Sequence, residues 1–321
     1  MSNEDDRTVS VLDTARGEVI GTVTVGKRPR GLGLSRDGSR LYVAVSGVRK
    51  CPPGMRRARC AKLPRDLAAD GVAVVDTRTL KVVALTRAGS DPIRLDLARG
   101  DRQLFVASED SRAVSVVDVR SGATMTHIFV GPDPASVRVS PNGDWVAVAS
   151  EADGTVTLID SHLLESVRSS AVGRRPEDLV FAPDSGVAYV ADELDATVYR
   201  IGMPSTGPSE GSPIRAMPVE RLLQLRRTDR PLGIVLDPSR RRLYITTGGA
   251  GTVAVIALQG PRLIGEIPVG VRPRGIALTP DDRWLFTANG GSDDVSVIDT
   301  ATLRVVRRIR VGRSPWAIVV D

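Results

Sequence analysis

Apolar residues fall along this chain in short runs, apolar on both sides of their alternation and separated by clusters of Gly, Pro, Asp, Asn, Ser and Thr. SVRVS, WVAVAS and TVTLID, which follow Pro134, have the length of β-strands, and a run without a polar side predicts a strand covered on both faces. Pro141-Asn142-Gly143-Asp144 supplies the turn chemistry between the first two. The whole pattern then repeats. A proline opens each unit, at Pro29, Pro92, Pro134, Pro176, Pro231, Pro273 and Pro315, and the steps between them are 63, 42, 42, 55, 42 and 42 residues. The two long steps are 42 with insertions of 21 and 13 residues. A period of about 40–45 residues holding four strands is that of a propeller blade. The expected fold is all-β, a seven-bladed propeller of four-stranded antiparallel blades forming one domain over residues 1–321.

The two ends of the chain complete each other. Asn3 and Asp13 precede Pro29 by the offsets that separate Asn289 and Asp299 from Pro315. The N-terminus therefore supplies the third and fourth strands of a blade, around Val9–Leu12 and Val19–Val23, and the tail Trp316–Val320 supplies its first. Positions equivalent to Pro280–Phe286 are missing from this closing blade. The expectation is that the natural precursor extends upstream of Met1 with that strand and a targeting segment before it.

Connections between strands two and three, and between strand four and the next blade, emerge on one face; the tight turns emerge on the other. The 21-residue insertion places residues 46–70 on the loop face. This segment carries seven basic and two acidic residues, a net +5 against +6 for the whole chain, so the remainder is close to neutral. A high pI is then a property of one loop and gives little support to general nucleic-acid binding. Arg49, Lys50, Arg56, Arg57 and Arg59 form a candidate partner-binding patch. Cys51 and Cys60 lie in the same loop, with eight residues between them that include Pro52-Pro53-Gly54. That spacing suits a local disulfide in an oxidising compartment, with a pair of reduced thiols as the alternative. The other insertion, residues 203–218, is rich in Pro, Gly and Ser and reads as a surface excursion.

Superimposing the blades brings charge to the mouth of the central channel. Glu4, Glu109, Glu151 and Glu193 share one register position, which Gly248 and Gly290 occupy elsewhere. Arg28, Arg30, Arg94, Arg174, Arg175, Arg230, Arg272, Arg274 and Arg313 recur around the opening prolines beside Asp91, Asp133, Glu177 and Asp178, and Trp316 is the aromatic at this level. Guanidinium groups bind two oxygens at once, so this ring is a candidate seat for a carboxylate or phosphate. The alternative is that these charges pair across blades and hold the loops. His127 falls in an outermost strand and His162 in a turn on the far face, which argues against histidine-based acid–base catalysis and histidine metal sites at the mouth. No catalytic residue, metal site or cofactor is assigned.

LYVAVSG, DDVSVIDTATLRVV, VGVRPRGIALTPDDRWLFTANG and VGRSPWAIVV resemble the YVTN family of bacterial β-propeller repeat proteins along the whole chain. SNEDDRTVSVLD and VGRSPWAIVV are similar to those members named PQQ-dependent catabolism-associated β-propellers. The resemblance implies an exported, periplasmic protein without established chemistry. Three functional readings follow. The first is a non-catalytic periplasmic scaffold holding a protein partner or small anionic ligand on its loop face. The second is a hydrolase or lactonase at the channel mouth, with carboxylates such as Glu109, Glu151 and Glu193 around Ca²⁺. The third is single-stranded nucleic-acid binding through the basic loop, which the scarcity of aromatic platforms disfavours. The first is the expectation. No run of 18 apolar residues is present to span a membrane, and a closed ring gives no reason to oligomerise, so a monomer is expected.

Overall fold

The computed structural model describes residues 1–50, 63–98, 100–204 and 217–321. Cys51, Cys60, Arg56, Arg57 and Arg59 lie outside the described residues. Six four-stranded antiparallel sheets and one three-stranded sheet form seven blades in a ring. There is no α-helix among the described residues, and Leu67–Ala69 forms a 3-10 turn. A typical blade runs from β12 (Pro134–Val139) beside the channel through β13 (Trp145–Ser150) and β14 (Thr155–Asp160) to β15 (Glu165–Ala171) at the rim. Burial explains the sequence pattern. All six residues of β13 are buried because blades pack on both of its faces, whereas β15 has no buried residue.

The turns owe their shape to side chains that mimic backbone. Asp299 accepts hydrogen bonds from the backbone N–H of Ala301 and Thr302 at 2.9 Å, and Leu303 follows in the left-handed region at φ 56°. Asp76 and Asp160 do the same work before Leu80 and Leu164. On the turns between first and second strands, Ser140 Oγ donates to Asn142 Oδ1 at 2.6 Å and accepts from the Trp145 N–H at 3.0 Å.

The closing blade is where the termini meet. Its sheet contains β1 (Ser2–Asn3), β2 (Thr8–Asp13) and β3 (Glu18–Thr24). The tail occupies the first-strand place: Ser2 N–H donates to the Ala317 carbonyl and Trp316 N–H to the Ser2 carbonyl, both at 3.0 Å, and Asn3 bridges Pro315. Residues 316–321 do not form a regular strand, because the second strand they would pair with is only two residues long. Residues 46–70 connect β5 (Arg40–Val45) to β6 (Gly71–Asp76), and residues 203–218 connect β18 (Thr197–Gly202) to β19 (Val219–Gln224).

Candidate active site

The innermost strands carry an irregularity immediately after their opening proline. The register shifts between Pro92 and Arg94, Pro134 and Ser136, Pro176 and Asp178, Pro231 and Ile234, and Pro273 and Ile276. A bulge here turns the next side chains toward the channel. Six of the residues preceding these prolines, Arg28, Asp91, Asp133, Arg230, Arg272 and Ser314, are left-handed, with φ between 43° and 55°. Such a conformation is costly for residues with a Cβ, and it is paid here at the channel mouth, six times over. Gly233 and Gly275 let adjacent first strands close up: a Cβ at Gly233 would lie 2.4 Å from the Arg274 carbonyl oxygen, and one at Gly275 2.6 Å from that of Trp316.

Inside this collar the charges pair across blades. Arg30 is 3% exposed and bonds the Asp91 carboxylate, the Pro92 carbonyl at 2.7 Å and, at 3.6 Å, Glu109. Asp91 and Glu109 share a hydrogen bond, so burial and its acidic neighbour push Glu109 up to about 8, while Arg30 holds Asp91 below the ordinary range against its own burial. Further round, Asp178 receives Arg94 at 3.1 Å and Arg138 at 3.2 Å, and Ser136 Oγ donates to it at 2.7 Å. Trp316, 6% exposed, has the Arg94 and Arg274 guanidiniums over its ring, 5.0 and 4.9 Å from its centroid. Buried against both, it offers no platform to a ligand.

A pocket opens in the sector beyond. Arg175, Glu177, Glu193, Arg230, Arg272 and Arg274 line a pocket of about 260 Å³ together with Leu232, Gly248 and Gly249. Gly248 stands where four other blades carry Glu, and Gly249 where those blades carry Asp5, Asp110, Ala152 and Leu194. A Cβ on Gly248 would lie 2.5 Å from the Leu232 side chain, and one on Gly249 2.1 Å from the Thr228 carbonyl oxygen. Glu177 and Glu193 are both buried acids of the pocket, 3% and 6% exposed. Arg274 reaches Glu177 at 3.2 Å and Arg175 at 3.4 Å. Burial nonetheless pushes Glu177 up to about 8, helped by the like charges of Glu151 and Glu193, which outweigh the two arginines. Arg175 also bonds Glu151 at 2.7 Å and lies 3.2 Å from Glu193, which is paired in turn with Arg230. Arg272 is exposed and has no ion pair among the described residues. The buried Nε of Arg274 is without a hydrogen-bond partner.

The remaining sequence candidates lie outside this pocket. Arg28 binds Glu4 at 3.0 Å, Arg313 binds Asp6 at 2.6 Å, and Arg174 approaches Asp195 at 4.0 Å. Lys50 is tied to Glu4, Asp5 and the Ser314 hydroxyl at 3.0–3.2 Å, while Arg49 points to solvent. No group of three or more His, Cys, Asp or Glu among the described residues is arranged to hold a metal ion. Glu109, Glu151 and Glu193, which the hydrolase alternative would have placed around Ca²⁺, are engaged with arginines instead: Glu109 turns to Arg30, and the other two share Arg175. Glu177 was read from sequence only as a pairing partner. The signal for its place in the pocket is that it stands directly after an opening proline, at the bulge.

Residues 164–307 match a family model described as lactonase, 7-bladed β-propeller. Every residue lining the pocket lies inside that segment. No protein of curated function matches the sequence. Among solved structures, Kuenenia stuttgartiensis hydrazine synthase aligns with a TM-score of 0.77 and 21% identity over 94% of this chain and 91% of that one. A putative 6-phosphogluconolactonase from Bacteroides uniformis aligns at 0.71 and 17% over 96% of both chains. The periplasmic gluconolactonase of Pseudomonas aeruginosa aligns at 0.70 and 19% over 95% and 92%. At these identities the structures attest the shared propeller. The lactonase match overturns the expectation of a non-catalytic scaffold and favours its alternative, a hydrolase.

Proposed function

We propose that this chain hydrolyses a lactone of an anionic sugar acid in the pocket between Arg175 and Arg274. The observation that carries the reading is Glu177: a buried carboxyl held near 8, on the wall of an arginine-lined pocket, within the segment that matches lactonases. A group with that affinity for protons can take one and return it near neutral pH. In the reaction, water attacks the lactone carbonyl carbon while ionised Glu177 accepts its proton. The oxyanion that forms is stabilised by guanidinium N–H donors. Its collapse breaks the ring C–O bond, and Glu177 returns the proton to the departing oxygen, so the net change is addition of one water to give a hydroxy acid. Exposed Arg230 and Arg272 are suited to an anionic substituent. Support for the substrate class comes from the gluconolactonase and 6-phosphogluconolactonase among the structural neighbours. The periplasmic origin of one of them supports an exported location.

The test is hydrolysis of glucono-1,5-lactone and its 6-phosphate, corrected for spontaneous opening. Glu177→Gln should lower kcat by about 10²-fold or more. Activity of the unaltered protein should rise with pH to a plateau, with its midpoint near 8 when Glu177 must be ionised to act. Arg272→Ala should raise KM about tenfold for the phosphorylated lactone and leave the neutral one little changed. No turnover of either lactone, or full turnover by Glu177→Gln, overturns the assignment.

A further inference from the structure

All seven blades contribute their innermost residues to a second cavity, of about 400 Å³, in the middle of the ring. It shares no lining residue with the arginine pocket. Arg94 belongs to this cavity and Arg274 to the other, and the two guanidiniums meet over the Trp316 ring. From there the cavity follows the strands as far as Pro141, in an exposed turn, so it faces the side of the ring opposite the loops.

Its wall comes from one position of the repeat. The fourth residue after the opening proline is Arg138, Val180, Val235, Ala277 or Val319 in five of the blades, and all five line the cavity and stay partly exposed. The residues just before four of them, Val137, Leu179, Ile234 and Ile276, are 8% exposed or less, because successive side chains of a strand point to opposite sides and these pack between blades. A channel that held only water would call for polar side chains here. Four apolar ones left open around the middle of the ring are instead the lining of a small-molecule site, and the volume falls in the range of such sites, roughly 300–1,000 Å³.

The polar end of the cavity is cationic. Arg138 donates from Nε to the Leu179 carbonyl at 3.3 Å and from Nη2 to both Asp178 oxygens at 3.2 Å, while its Nη1 has no hydrogen bond among the described residues. Arg94, 9% exposed, gives one N–H to the same carboxylate, and its buried Nε has no partner. Asp96 does not restore the balance. Its oxygens accept the backbone N–H groups of Leu97 and Val139 at 3.0 and 2.8 Å, and burial holds its pKa above the ordinary range. Burial and the positive charges of Arg138 and Arg274 drive Arg94 down to about 10, so another negative charge beside it is favoured. We propose that the channel binds a monocarboxylate with an apolar body, its head on the spare donors of Arg138 and Arg94 and its body against Val180, Val235, Ala277 and Val319. Two guanidiniums against one carboxylate leave a single charge, which a monoanion neutralises. The site lies away from the loop-face collar and does not depend on hydrolysis at Glu177.

The test titrates octanoate, 1-octanol and acetate into the full chain by calorimetry. Octanoate should bind at one site, about tenfold or more tighter than 1-octanol, which lacks the charge, and than acetate, which lacks the body. Arg138→Gln should weaken octanoate about tenfold. Ala277→Leu, which fills the channel from a partly exposed position, should abolish binding, with Tm reporting that each variant is folded. Glu177→Gln should bind octanoate as the unaltered protein does, since Glu177 lines the other pocket. Absence of saturable octanoate binding, equal affinity for 1-octanol, or undiminished binding by Ala277→Leu overturns the proposal. Loss of binding in Glu177→Gln would move the anion to the mouth and overturn it likewise. Should Arg138→Gln fail to fold, the 1-octanol and Ala277→Leu comparisons decide.

Discussion

Asp178 neutralises two guanidiniums at once, and that makes it the most exposed single liability in the channel. Burial alone would raise its pKa, but Arg138 and Arg94 together hold it below the ordinary range. The cost of burial is visible on Arg94 instead, which is driven down to about 10. Asp178→Ala leaves buried Arg94 without its carboxylate beside the half-buried Arg138 and should destabilise the fold by about 3 kcal/mol in urea titration. A loss below 1 kcal/mol would mean that the arginines re-pair with Asp96 or water. Glu177 carries a different signature. Its carboxyl binds protons more tightly folded than unfolded, so its burial costs nothing below about pH 4.5, and the penalty grows until pH passes about 8. The stability of Glu177→Gln relative to the unaltered protein should therefore increase with pH across that window, as read by Tm in buffers of matched ionic strength. Overlaying the repeats was enough to find these side chains, since arginines and carboxylates recur at fixed offsets from proline. It was not enough to pair them: Arg94 and Asp178 are 84 positions apart, and which carboxylate a guanidinium reaches depends on the bulge that turns it.

At the level of elements, the blades were the most legible feature, because a 42-residue period, Asp-capped turns and two-sided apolar runs all state the same arrangement. The tail was less so. Trp316–Val320 has the composition of a strand, yet its backbone pairs only with Ser2, since a strand needs a partner as well as a propensity. Those contacts still matter. Deleting residues 313–321 removes Trp316 from contact with two arginines, along with Ala317 from the core, and should lower Tm by about 10 °C or more. An unchanged melting curve would show that the ring closes without the tail. The pocket was hidden for a related reason. Gly248 was recognised as a gap in the row of glutamates, but a gap becomes a site only when the neighbouring strands aim Glu177 and Arg274 into it.

At the scale of the molecule, the propeller joins its first and last blades through a narrow set of bonds. Six blades are closed by four-strand ladders, while the seventh is held by the bonds of Ser2 with Trp316 and Ala317, those of Glu4, Asp5 and Asp6 with Arg313 and Ser314, the Asn3 bridge and the contacts of Trp316. Because both ends of the chain lie in this one blade, a force applied between the termini acts directly across that junction. Those few bonds would be loaded in parallel and give way together at low force. The other blades would then peel off one after another, each resisting through a full ladder. Pulling single molecules by their ends should thus record one small early release followed by a series of larger, evenly spaced steps.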